Sequence, residues 1–145
     1  MAHYEDMRDC IFCRIVQGEI PCAKLYETEH SLAFLDIAPL NRGHSLVIPK
    51  RHYADIFGMP GDVLADIIRV AGRLAPAIKT AAEAEGLNLI QNNGKIAHQF
   101  VMHFHLHLIP RFKGDAFGFN WPAGKYGEGE MKEVQNRIVG QLNGS

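Results

Sequence analysis

The sequence predicts an α+β fold: a five-stranded antiparallel sheet with one long helix, plus short N- and C-terminal helices. Three observations carry this expectation. Five short β-prone segments are bounded by turn signals. One long segment of helical periodicity falls between the third and fourth of them. The links between the first three strands are short enough to imply an antiparallel meander.

In chain order, Asp9 is placed to cap a short helix running through Val16, with Gly18 as its stop. Cys10 and Cys13 stand at i and i+3 on that helix and face the same way. Residues 23–27 and 31–37 read as strands joined by Thr28-Glu29-His30. A second turn, Pro39 to Gly43, leads to a third strand from His44 to Ile48, closed by Pro49. Residues 61–85 form the long helix. Its apolar stripe contains Val63, Leu64, Ile67, Ile68, Ala71, Leu74, Ala75 and Ile78, while Asp66, Arg69 and Arg73 lie off it. Pro76 is expected to kink this helix and Gly86 to end it. Leu87–Gln91 is the fourth strand, and Asn92-Asn93-Gly94 opens a loop. Val101–Ile109 is the fifth strand, stopped by Pro110. Residues 112–127 lack periodicity and read as a surface loop. Met131, Val134, Ile138 and Leu142 outline a C-terminal helical extension over 128–142.

Composition narrows the function. The chain has 145 residues, of which 47% are hydrophobic and 21% charged, the balance of a globular protein of one domain. At this length roughly 70% of the unfolded surface is buried on folding, so no disulfide staple is needed. A net charge of −1 argues against broad, charge-driven nucleic-acid binding. No apolar run approaches the ~18 residues of a membrane span, and the polar opening Met1–Asp6 does not resemble a signal peptide. A cytoplasmic location follows as the expectation. In a reducing compartment Cys10-x-x-Cys13 reads as a metal clamp or a redox pair, and Cys22 as a buried or turn thiol without a functional role.

The most informative segment is His103-Phe104-His105-Leu106-His107-Leu108-Ile109-Pro110. Strand alternation puts the three histidines on one face and Phe104, Leu106 and Leu108 on the other. At this histidine content the pattern arises by chance in roughly 2% of such chains. His103 and His107 lie about 13 Å apart along a strand, so one shared ion is awkward and a division of labour is expected. Cys10 and Cys13 supply two of the four ligands of a closed zinc site. His52, His103, His44 and His98 all remain candidates for the other two. A neutral His105 is a competent nucleophile toward phosphorus, and His107 can assist it.

Gln99-Phe100-Val101-Met102-His103-Phe104-His105-Leu106-His107-Leu108-Ile109 resembles the signature of the histidine triad family of nucleotide hydrolases and transferases. The resemblance extends from Asp9 to about Pro122. It includes Cys10 to Pro21, Ala33-Phe34-Leu35-Asp36-Ile37 and Gly43 to Lys50. It implies a homodimer with a continuous sheet and a purine nucleoside 5′-monophosphate pocket. His105 matches the nucleophile that takes up the nucleotidyl group, and His107 the histidine that contacts the α-phosphate. Asp36 matches the acidic residue on the ribose hydroxyls. Ile15, Phe34, Ile37 and Leu46 match the apolar base pocket, and Asn92 and Gln99 the polar contacts near the phosphate. Zinc-containing members join the C-x-x-C to the positions of His52 and His103, which implies one structural zinc held by Cys10, Cys13, His52 and His103. His44 matches a family position near the triad.

Two departures stand out: His98 replaces a common glycine, and Phe100 replaces a serine that helps the leaving group in some members. Retention of His107 favours hydrolysis over transfer to a sugar phosphate. The resemblance therefore implies hydrolysis of a P–N or P–O–P bond through a covalent His105 intermediate, with a nucleoside phosphoramidate as the first substrate class. A dinucleoside polyphosphate hydrolase, a non-catalytic nucleotide-binding adaptor and a redox module using Cys10 and Cys13 are the alternatives.

Overall fold

The computed structural model describes residues 9–118 and 120–144; the opening Met1–Asp6 lies outside them. Within the described residues an antiparallel sheet contains β1 (Lys24–Glu27), β2 (Ser31–Leu35), β3 (Ser45–Pro49), β4 (Gly86–Gln91) and β5 (Leu106–Arg111). Their order is β1-β2-β3-β5-β4, so β5 slots between β3 and the edge strand β4. Three helices accompany the sheet: α1 (Ile11–Val16), α2 (Gly61–Ala82) and α3 (Glu130–Asn143). The predicted α+β class and the antiparallel meander are both present.

The sheet is covered on two faces, so β2 and β3 read as nearly continuous buried runs. On one face Ala33, Val47, Phe104, Leu106 and Leu108 pack against Ile67, Val70, Ala71, Leu74 and Ile78 of α2. Truncating Ile67, fully buried at the centre of this cluster, to alanine would cost about 2–5 kcal/mol. On the other face Cys10, Phe12 and Cys13 pack against Leu32, Phe34, Leu46 and Ile48. This second, smaller core brings the N-terminal cysteines beside the histidine segment.

Several boundaries differ from expectation. The N-cap of α1 is Cys10, whose Sγ accepts the Cys13 amide hydrogen, rather than Asp9. Sulfur is a weak acceptor, so this turn owes its place chiefly to the burial of Phe12 and Cys13. Helix α2 runs past Pro76, which is exposed. It ends at Ala82 because Glu83 takes a left-handed conformation (φ 56°) and its N–H bonds back to Lys79 and Thr80. Gly86 instead opens β4.

The fifth strand begins at Leu106, five residues later than predicted, and continues through Pro110. Upstream, the Phe104 N–H donates to Tyr53 O at 2.7 Å, outside the sheet ladder. The carbonyl of Pro110 accepts from Asn41 Nδ2 at 2.9 Å. Helix α3 forms as predicted but buries none of its residues; Met131, Ile138 and Leu142 of its apolar stripe stay exposed.

Candidate functional site

Hydrogen bonding fixes how the histidines present themselves. His105 is buried, and its Nδ1 lies 2.7 Å from the carbonyl of His103. A carbonyl can only accept, so Nδ1 carries the hydrogen and Nε2 keeps a lone pair. Phe12 backs the ring at 5.1 Å between centroids. Burial pushes the His105 pKa below its ordinary value, against a raising influence from the His103 carbonyl. The side chain is thus a neutral imidazole with one aimed, unprotonated nitrogen.

His107 stands beside it, with ring centroids 4.9 Å apart. In the ladder His107 lies opposite Leu46 of β3 and Ile90 of β4. Its tautomer is set from behind. The Leu40 amide donates to His44 Nδ1 at 3.0 Å, so His44 carries its hydrogen on Nε2. That nitrogen lies 2.9 Å from His107 Nδ1 and donates to it, leaving the His107 hydrogen on Nε2. Burial, followed by the neighbouring His105 and His44, lowers the His107 pKa to about 4.

A cavity of about 490 Å³ opens in front of this pair, within the ~300–1,000 Å³ typical of small-ligand sites. Ile15, Phe34, Asp36, Ile37, Leu46, Asn92, His105 and His107 all line it, so eight of the nine expected nucleotide contacts meet at one place. Phe34 and Leu46 are buried wall residues, whereas Ile37 is 92% exposed at the rim. Asp36 Oδ1 accepts from the Ala38 amide at 2.9 Å, and Oδ2 lies 3.6 Å from His44 Nε2. The ninth residue, Gln99, is 1% exposed and does not line the cavity. Its Oε1 accepts from the Gly94 amide at 2.8 Å, and its Nε2 donates to Ala54 O at 2.6 Å and Val101 O at 3.1 Å. With its amide engaged this way, Gln99 braces the loop after β4.

Four further side chains lie within 4.8 Å of one another through their ligand atoms: Cys10, Cys13, His52 and His103. His103 Nε2 donates to Pro49 O at 2.9 Å, which leaves Nδ1 unprotonated. That lone pair lies 3.3 Å from Cys10 Sγ and 3.6 Å from Cys13 Sγ. His52 Nδ1 is 3.3 Å from Cys13 Sγ. Burial lowers the His103 pKa to about 4, keeping the ligating neutral form. Burial, with Cys10 alongside, pushes the Cys13 thiol up to about 12, so an apo site holds an uncharged thiol. Two sulfurs and two imidazoles converging in this way suit a tetrahedral metal ion.

Asp36, His44 and His107 also cluster within 4.8 Å. His44, however, holds its hydrogen on the nitrogen that faces this group, while its Nδ1 is engaged by Leu40. Hydrogen bonding, not a cation, accounts for that cluster.

Local patterning did not reveal every lining residue. Ile11 and Phe12 of α1, Ile20, Pro21 and Cys22 just after it, and Val101 in the loop after β4 all reach the cavity, a tertiary convergence without a local signature. Cys22, read from sequence as a buried or turn thiol, is half-buried in that wall. Phe100, noted as a departure from the family pattern, and His98, noted both as a departure and as a candidate metal ligand, also line the cavity, and His98 is not among the four converging ligands.

The HIT domain family profile matches residues 17–114. The adenosine 5′-monophosphoramidase hnt1 of Schizosaccharomyces pombe is 45% identical over 134 residues, covering 92% of this chain and 98% of that protein. The crystal structure of a HIT family protein from Bacillus anthracis superposes with a TM-score of 0.87 at 44% identity, covering 92% of this chain and 96% of the other. A Zn-bound histidine triad family protein from Mycobacterium smegmatis gives 0.72 at 37% identity, with coverages of 95% and 98%.

Proposed function

The chain belongs to the HIT domain family, and on that premise we propose that it hydrolyses nucleoside 5′-phosphoramidates through a nucleotidyl intermediate on His105. The observation that carries this reading is the pinned His105 tautomer: Nδ1–H is held by the His103 carbonyl, so Nε2 points an unprotonated lone pair toward the cavity residues. The 45% identity to a protein named adenosine 5′-monophosphoramidase supports the substrate class.

In the proposed reaction the purine lies between Ile15, Phe34 and Leu46, and Asp36 accepts from the ribose hydroxyls. His105 Nε2 attacks phosphorus and forms a P–N bond to the imidazole. The scissile P–N bond breaks, and its nitrogen leaves as the free amine after taking a proton from water. His107 Nε2–H donates to a phosphoryl oxygen and stabilises the charge that builds there. Water then attacks phosphorus, releases the nucleoside monophosphate and restores neutral His105, with one proton passing to solvent. Attack by a neutral imidazole splits one hard displacement into two easier steps.

Zinc is the proposed ion at Cys10, Cys13, His52 and His103. The Zn-bound relative and the two-sulfur, two-nitrogen donor set support it. Its proposed role is structural: a closed four-ligand site fixes His103, whose carbonyl aims His105. A homodimer is also part of the reading, supported by the free edge of β4, where Leu89 is 52% exposed. A cytosolic location suits a site built on reduced cysteines.

The test is a rapid acid-free quench of the protein turning over adenosine 5′-phosphoramidate, followed by peptide mapping. A nucleotidyl group on His105 is expected; an adduct on His98 or His103, or turnover without any adduct, would overturn the reading.

A further inference from the structure

We propose that Phe100, positioned by His98, forms the leaving-group subsite and selects amines that carry a planar aromatic group. This rests on the phosphoramidate reading above and deepens it. His105 is 8% exposed at the floor of the cavity, whereas Phe100 is 76% exposed while still lining it. An in-line displacement sends the departing group away from the attacking nitrogen, here from floor to mouth. Sheet order separates the two halves of a substrate in the same sense. Phe34 and Leu46 lie on β2 and β3, the histidine pair belongs to the β5 segment, and His98 and Phe100 lie in the loop after β4.

The loop is built to hold these rings in place. Gln99, between them in sequence, is buried and spends its amide on Gly94, Ala54 and Val101. Asn92 Nδ2 donates to the His98 carbonyl at 3.4 Å. His98 adopts φ 68°, a left-handed conformation that disfavours any residue with a Cβ. The strained position nevertheless carries an imidazole, which meets Phe100 at 6.1 Å between centroids and 67° between planes. That edge contact orients Phe100 and leaves most of its surface open. An exposed apolar ring fixed at a cavity mouth gains by being covered, and an aromatic leaving group covers it best. The nitrogen carries positive charge once it has taken its proton and before the P–N bond breaks, and an aromatic face attracts a cation.

The experiment compares adenosine 5′-phosphoramidates of benzylamine and cyclohexylmethylamine, reading the ratio of their kcat/KM values. Comparing that ratio between variants cancels both the intrinsic reactivity of the two amines and any general loss of activity. Phe100→Ala is expected to lower the benzyl-to-cyclohexyl ratio about fivefold, a change of the size of one aromatic contact. Phe100→Tyr should restore it, and His98→Ala should give a smaller loss. An unchanged ratio in Phe100→Ala, with both compounds still turned over, would overturn this inference and leave the phosphoramidate reading intact. Turnover of neither compound by the unaltered protein would overturn both.

Discussion

His44 Nε2 lies 2.9 Å from His107 Nδ1, and the opposite nitrogen of His44 accepts the Leu40 amide hydrogen at 3.0 Å. A backbone amide thereby dictates, through one intervening ring, which nitrogen of His107 bears the hydrogen that faces substrate. His44 is a positioning residue. His44→Ala should lower kcat about tenfold, the worth of one buried hydrogen bond of roughly 1–1.5 kcal/mol. The KM for nucleotide should move far less. His44→Gln places an amide donor near the original Nε2 and should recover part of the loss. Equal loss in the Ala and Gln variants would mean that the contact is packing alone.

Binding and chemistry should separate between Asp36 and His105. His105→Ala is expected to abolish turnover and the covalent adduct while leaving AMP affinity within a few-fold, because base and ribose contacts come from other walls of the cavity. Asp36→Ala should weaken AMP binding about tenfold or more, the worth of a charge-assisted hydrogen bond at roughly 1.5–3 kcal/mol, with a smaller fall in kcat. Titration calorimetry with AMP beside single-turnover kinetics reads both quantities. Measurable turnover by His105→Ala would rule out covalent catalysis at this position.

Protonation should matter only in acid. A free histidine is half protonated near pH 6.5. Burial holds His105 below that value and His107 near 4. The neutral, active forms therefore persist as pH falls, and kcat/KM should stay nearly flat from pH 8 to 6.5 before declining. Stability follows the same sign. Above about pH 6.5 folded and unfolded chains are both neutral at His107, and nothing is lost. Between 6.5 and about 4 the unfolded chain takes up a proton that the folded site resists, so stability falls. The urea midpoint should drop from pH 7.5 to 5.5, and by less in His107→Gln. An activity midpoint at or above pH 6.5 would contradict a buried neutral pair.

The fold was legible because its signals are local. A period of 3.6 marks α2, short apolar runs mark β2 and β3, and turn residues separate them. The histidine alternation was legible too, although only His107 lies within β5. Phe104, Leu106 and Leu108 still pack toward α2 while His103 and His105 face α1, since an extended chain alternates with or without a ladder partner. The bracing contacts of Gln99 were not legible, because nothing in a sequence tells whether a loop amide will meet a ligand or its own backbone. The reach of Cys22 and Phe12 into the cavity depends on where α1 lands, which only the packing of Cys10, Phe12 and Cys13 decides. The apolar stripe of α3 was read correctly as a helix, but periodicity does not say what covers it.

Metal and nucleophile should prove coupled. His103 offers Nδ1 to the cysteine sulfurs, fixes Nε2–H on Pro49 O at 2.9 Å and gives its carbonyl to His105 Nδ1 at 2.7 Å. One residue thus joins the four-ligand group to the attacking ring. Protein purified without chelator should carry one zinc per chain by elemental analysis, and Cys13→Ala should carry much less. With one ligand gone, the buried Cys10 and His103 and the half-buried His52 are left without their shared ion, and the core around Phe12 loosens. A loss of roughly 3 kcal/mol would lower Tm by about 10 °C in a domain of this size. Turnover should fall with it, because a mobile His103 carbonyl no longer holds His105 in the tautomer that leaves Nε2 unprotonated. AMP affinity should fall less, since none of the four ligands lines the cavity in front of His105. Metal-depleted protein that keeps its Tm and its adduct yield would show that the cysteine–histidine group contributes to neither.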